Sequence, residues 1–100
     1  MALGIVVQNQ RRVWNELLGR IEIGAPNARE KTRFYSNLYR ALSGRNIWSD
    51  VNGEWTDPEE HVQKLNDPDA VMLGGDAFWT TFWNLNQVMN LLTPEWSTRW

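Results

Sequence analysis

Apolar residues recur at spacings of three and four through the last third of the chain. Phe78, Phe82, Leu85, Met89 and Leu92 share one face, with Trp79 and Trp83 beside them, and this pattern predicts a helix whose face must be buried. Asp76, following Gly74-Gly75, is placed to cap its start, and Pro94 stops it just beyond Leu92. The opposite face carries Thr80, Asn84, Asn86, Gln87 and Asn90, with no charged residue from Ala77 to Pro94. A solvated helix face ordinarily carries Lys and Glu, so this face is polar in an unusual way.

Upstream segments read as partners for that helix. Val13, Trp14, Leu17 and Leu18 stand at helical spacing and predict an amphipathic helix over 8–18, ending at Gly19. Asn27 with Glu30 resembles a capping box, and Phe34, Leu38 and Leu42 with Tyr35 and Tyr39 build a wide apolar face up to Ser43-Gly44. Two helices joined by a short connector form a hairpin, the unit of bundles and helical toroids. Asn52-Gly53 between 47–51 and 54–56 predicts a small β-hairpin or tight loop with a type I′ turn. Asp57-Pro58-Glu59-Glu60 reads as cap, first-turn proline and dipole-matching acids, predicting a short helix through Val62 and Leu65 that Asn66-Asp67-Pro68-Asp69 interrupts. Thr93-Pro94-Glu95-Trp96 begins a further helix that runs to Trp100, a pattern expected of a truncated chain. The expected fold class is mainly α, helical hairpins with a small β-hairpin or loop insertion near 47–56.

Composition narrows the function classes. One hundred residues allow one small domain or part of a larger one. A net charge of −2 without a basic cluster argues against nucleic acid as a partner. The absence of cysteine excludes disulfides and thiolate metal sites but leaves the compartment open. No apolar run approaches the ~20 residues of a membrane span. Residues 1–7 are apolar but lack the basic start and cleavage site of a signal peptide. Seven tryptophans are more than a small monomer easily hides, so either further protein covers them or some line a ligand surface.

Candidate chemistry is sparse. His61 is the single histidine, on a charged segment, and reads as a surface residue, so no nucleophile and base pair can be assembled. The carboxylates Asp50, Glu54, Asp57, Glu59, Glu60, Asp67, Asp69 and Asp76 have local duties as caps, turns or solvated charges. Asn66, Asp67 and Asp69 lack the spacing of a calcium loop, and turn chemistry explains them better. The functional candidate is the aromatic and amide cluster over 76–90. Sugars present C–H faces that stack on tryptophan, and their hydroxyls pair with Asn, Gln, Asp and Thr. Spacing alone favours Trp79 and Trp83 as core filling over ligand contact; the uncharged polar face moderates that reading.

Three ordered segments carry a resemblance: Phe34-Tyr35-Ser36-Asn37-Leu38-Tyr39, Ser49-Asp50-Val51-Asn52-Gly53-Glu54-Trp55, and Phe78-Trp79-Thr80-Thr81-Phe82-Trp83, followed by Leu91-Leu92-Thr93-Pro94. They resemble the glycoside hydrolase family 92 α-mannosidases, with their Phe-Tyr-x-x-Leu-Tyr, Ser-Asp-Val-x-Gly-x-Tyr and Leu-Trp-Asp-Thr-Tyr-Arg motifs. The resemblance implies a secreted or periplasmic, calcium-dependent, inverting exo-α-mannosidase built from a β-sandwich and an (α/α) toroid. Residues 1–100 would be a partial domain, one piece of the early toroid, acting on mannosides together with the rest of the parent chain. The family's acid and base carboxylates and calcium ligands belong to motifs not matched here, so this chain alone is expected to be catalytically silent. Trp79 matches the Trp of the family's Trp-Asp pair, facing the mannose pocket. Thr80 stands where that motif has Asp and Trp83 where it has Arg. Threonine cannot reproduce the two-acceptor geometry of a carboxylate. Asp76 or Asn84 could supply the acceptor, since helical spacing groups Asp76, Trp79, Thr80 and Trp83.

Two alternatives stand beside this reading. One is a non-catalytic, tryptophan-rich helical module that binds a protein or a carbohydrate. The other is a different helical-toroid carbohydrate enzyme.

Overall fold

The computed structural model describes residues 2–75 and 81–99, and the side chains of all of these except Thr81 and Phe82. Helices occupy about half of the chain, and the strands are short antiparallel pairs. The chain divides into two compact units, Met1–Ala41 and Leu42–Trp100.

The first unit holds helix α1 (Leu3–Leu18) and most of helix α2 (Ala28–Ser43). Helix α1 begins five residues before the expected Gln8, because Leu3 and Val6 continue the stripe formed by Val13, Trp14 and Leu17. Its start has no side-chain cap; the first bond runs from the Ile5 N–H to the Ala2 carbonyl at 3.0 Å. Helix α2 starts as expected, with the Glu30 N–H donating to Asn27 Oδ1 at 3.0 Å. The Glu30 carboxylate, however, lies 3.4 Å from the Arg33 guanidinium. The aromatic residues then join the segments. The Trp14 and Tyr39 rings meet at 4.6 Å, and the Tyr35 hydroxyl donates to the Ile21 carbonyl at 2.7 Å, fixing the connector that the sequence leaves between the helices.

In the second unit, strand β1 (Asn46–Ile47) pairs with β4 (Leu73–Gly74), and β2 (Glu54–Thr56) pairs with β3 (Val62–Lys64). This corrects two expectations. Residues 47–51 do not form the second strand for 54–56, because Ile47 pairs with Leu73 and the Trp48 N–H reaches the Met72 carbonyl at 2.7 Å. The segment after Asp57 is not a helix but the turn and return strand of a hairpin, with Trp55 opposite Gln63.

Both turns have one design. The Asp50 N–H donates to the Glu54 carbonyl and the Gly53 N–H to the Asp50 carbonyl, at 2.8 and 2.9 Å. The Asp57 N–H donates to the His61 carbonyl and the Glu60 N–H to the Asp57 carbonyl, both at 3.0 Å. Each is a type I turn closed by a residue at positive φ, Gly53 at 83° and Glu60 at 67°. The expected type I′ turn would need positive φ at Asn52 as well, and Glu60 is the only non-glycine residue with positive φ among those described.

After Gly75 and the undescribed 76–80, the chain continues as a π-helical turn (Thr81–Leu85), helix α3 (Asn86–Leu92) and the single-turn helix α4 (Pro94–Ser97). Leu85 and Met89 are buried, as their spacing predicts. Thr93 ends α3, donating its N–H and its hydroxyl to the Met89 carbonyl at 2.8 and 3.0 Å, and is itself buried. Arg45, just before β1, donates to Asn86 Oδ1 at the start of α3. Asn86 on the uncharged face is therefore a structural anchor, while Asn84, Gln87 and Asn90 are exposed.

Candidate functional site

An open pocket of about 280 Å³ lies in the second unit, lined by Trp48, Trp55, Thr56, Asp57, Pro58, Met72, Leu73, Gly74 and Gly75. It exists because β1 pairs with a strand far along the chain while β2 pairs with its sequence neighbour. Trp48 leaves the end of β1, and its indole Nε1–H donates to the Thr56 carbonyl at 3.2 Å, which ties the two strand pairs together. The ring lies against Gly74: a Cβ there would stand 3.3 Å from Trp48 Cε3. Gly75 turns the chain at φ 81°, where a Cβ would come within 2.9 Å of both Asn46 Nδ2 and the Gly44 carbonyl oxygen. Hydrogen is the only side chain that this approach admits.

Asp57 is the charged group of the lining. Gln63 Nε2 donates to its Oδ2 at 2.9 Å, and the His61 and Glu59 N–H groups donate to its Oδ1 at 2.9 and 3.0 Å. The Gln63 bond foremost, with the His61 and then the Glu59 backbone bonds, holds this carboxyl below its ordinary 3.8. A carboxyl kept ionised in this way accepts hydrogen bonds at neutral pH and is unsuited to donate a proton as a general acid. The pocket therefore offers two indoles and a fixed acceptor, a binding surface rather than an acid and base pair.

Of the residues the sequence singles out, Asp76, Trp79 and Thr80 lie outside the described residues. Trp83 sits in the π-helical turn and is 78% exposed, so it is not core filling. His61 is exposed as expected, though on a hairpin rather than a helix, with Nδ1 3.8 Å from Asp57 Oδ2 and 3.7 Å from Glu59 Oε2. Asp67 performs the turn duty expected of it, accepting the Asp69 N–H at 2.9 Å. No sequence pattern brings Trp48, Trp55 and Asp57 together as a site. The available signal is the two tryptophans on either side of the Asn52-Gly53 turn, which the helix expected over 57–65 masks.

Among the described residues no three His, Cys, Asp or Glu side chains come together as a metal-ligand set. No described helix is long and apolar enough to cross a membrane.

The pocket joins two indoles and one carboxylate in a chain that is about half helical. The chain belongs to glycosyl hydrolase family 92, whose catalytic-domain model matches residues 2–100. No protein with a curated description and no solved structure matches it. Membership places it among the glycoside hydrolases and makes carbohydrate the substrate class.

Proposed function

We propose that the protein works within an inverting exo-α-mannosidase of (α/α)-toroid architecture, where Asp76, Trp79, Thr80 and Trp83 form part of the wall that binds the mannose. The match of the family's catalytic domain along residues 2–100 is the observation that carries this reading. Hydrolysis with inversion needs a base to activate water and an acid to protonate the leaving oxygen from opposite sides of the ring. Those carboxylates lie in parts of the parent enzyme outside these motifs, and this chain contributes binding. Calcium, which the resemblance implies, would be held by other parts of the parent enzyme.

The test is a calorimetric titration of the chain with methyl α-mannoside, methyl α-glucoside and methyl α-galactoside, repeated for Thr80→Asp. Millimolar binding corresponds to about 4 kcal/mol, within reach of one stacked ring and a few hydrogen bonds. Mannoside preference, with affinity changed roughly fivefold or more in Thr80→Asp, supports the proposal. Unchanged affinity in that variant removes Thr80 from the pocket. The exposed Trp48 and Trp83 favour, as the second reading, a tryptophan-rich module that binds a protein partner. A concentration-dependent dimer with no response to any sugar would support that reading instead.

A further inference from the structure

The pocket at Trp48, Trp55 and Asp57 extends along the chain to Gly75, directly before the 76–83 segment, and has the features of a prepared ligand site. We propose that it is a subsite for one pyranose ring of a neutral glycan, with the indoles as stacking surfaces and the Asp57 carboxylate accepting a sugar hydroxyl. This inference rests on the glycosidase reading above and adds a second point of contact to it.

Four observations carry it. Trp48 is preorganised, held at its Nε1–H by the Thr56 carbonyl and backed by Gly74, so binding need not immobilise it. Asp57 is oriented by three donors, two on Oδ1 and one on Oδ2, and its side chain is only 17% exposed. A carboxylate accepts about four hydrogen bonds, so Oδ2 retains one position for a ligand hydroxyl. The lining contains no Lys, Arg or His, which disfavours a phosphate or carboxylate ligand. A volume of about 280 Å³ lies just below the ~300–1,000 Å³ typical of ligand pockets, room for one ring rather than an extended chain. A carboxylate beside indoles also suits an organic cation, and the experiment separates that case from a sugar.

The experiment follows the indole N–H signals of the ¹⁵N-labelled chain by NMR, assigned with Trp48→Phe and Trp55→Phe, during titration with methyl α-mannoside and with α-linked mannobiose. The Trp48 and Trp55 signals are expected to shift saturably. Each Phe variant should weaken binding about three- to tenfold with the amide spectrum otherwise preserved, as expected for loss of part of a stacking surface. Sugar-dependent shifts that spare Trp48 and Trp55 while moving other indoles overturn the subsite and leave the mannoside reading intact. No shift with either sugar overturns both. A response to tetramethylammonium stronger than to mannobiose overturns the neutral-glycan assignment.

Discussion

Glu60 occupies the position in its turn that Gly53 occupies in the preceding one, at φ 67° against 83°. A side chain with a Cβ is disfavoured there by roughly 1–2 kcal/mol, so Glu60→Gly is expected to stabilise the protein by about 1 kcal/mol in urea denaturation. Gly53→Ala should destabilise it by a similar amount; opposite signs at either site would mean that the turns are not built alike. Asp57 makes a second prediction. Its carboxyl is held below the ordinary 3.8, foremost by Gln63, so the ionised form is favoured in the folded chain. The stabilisation is fully present above the unfolded value and disappears as pH falls through the folded one. Stability measured from pH 6 down to pH 2 should therefore fall from about pH 4, and Asp57→Asn should flatten that fall; an unchanged profile in the variant would remove the effect. This residue also shows why the sequence pattern of 57–65 suits a helix although the segment forms a hairpin. An Asp accepting backbone N–H groups, followed by Pro with φ near −65°, serves a helix N-terminus and a type I turn equally well. The choice is made by Val62–Lys64 pairing with Glu54–Thr56, which no local pattern in 57–60 encodes.

The elements around the pocket depend on two glycines. Gly75 combines positive φ with two atoms 2.9 Å from any added Cβ, one of them the Gly44 carbonyl oxygen, whereas Gly74 meets only the Trp48 ring at 3.3 Å. Gly75→Ala should cost at least the ~1–2 kcal/mol of the left-handed conformation and separate β1 from β4. Gly74→Ala should cost less and register mainly at the Trp48 indole. Thermal denaturation with the indole NMR signal checks both, and equal costs would show that backbone conformation does not set the difference. Legibility followed the range of the interactions. The Asn27 cap, the Leu85 and Met89 face and the stop at Pro94 arise from neighbours within one or two turns, and the structure has them where spacing puts them. The pocket was not legible, because it depends on Ile47 meeting Leu73 across a long loop and on the Trp48 indole crossing to Thr56. The expected site residue that is described, Trp83, is exposed, two residues before the buried Leu85 and so on the far side of the buried face.

At the scale of the molecule the exposed area sets the behaviour in solution. The chain presents 8270 Å² to solvent for a mass of 11.7 kDa. A compact monomer of that mass exposes about 5,900 Å², and two separate compact units of the same total mass would expose about 7,000 Å². The excess is therefore independent of how the units are arranged. Among described hydrophobic residues only Leu38, Leu42, Leu85 and Met89 are buried. Helix α1 shows the consequence within one element. Its stripe is half-buried at Trp14 and Leu17, but the same stripe continues exposed at Val13, Val6 and Leu3. An uncovered stripe of this kind associates with other apolar surfaces. The chain is expected to self-associate as its concentration rises, with the weight-average mass in sedimentation equilibrium increasing above that of the monomer. Burying a valine contributes about 1.5–3 kcal/mol, so Val6→Glu with Val13→Lys should shift the association at least about tenfold to higher concentration. Neither position belongs to the buried core, so helicity by circular dichroism should persist in that variant. A monomer throughout the concentration range would show that the stripe drives no association, and association unchanged in the double variant would move the driving surface to the exposed Trp83 and Leu91 of the second unit.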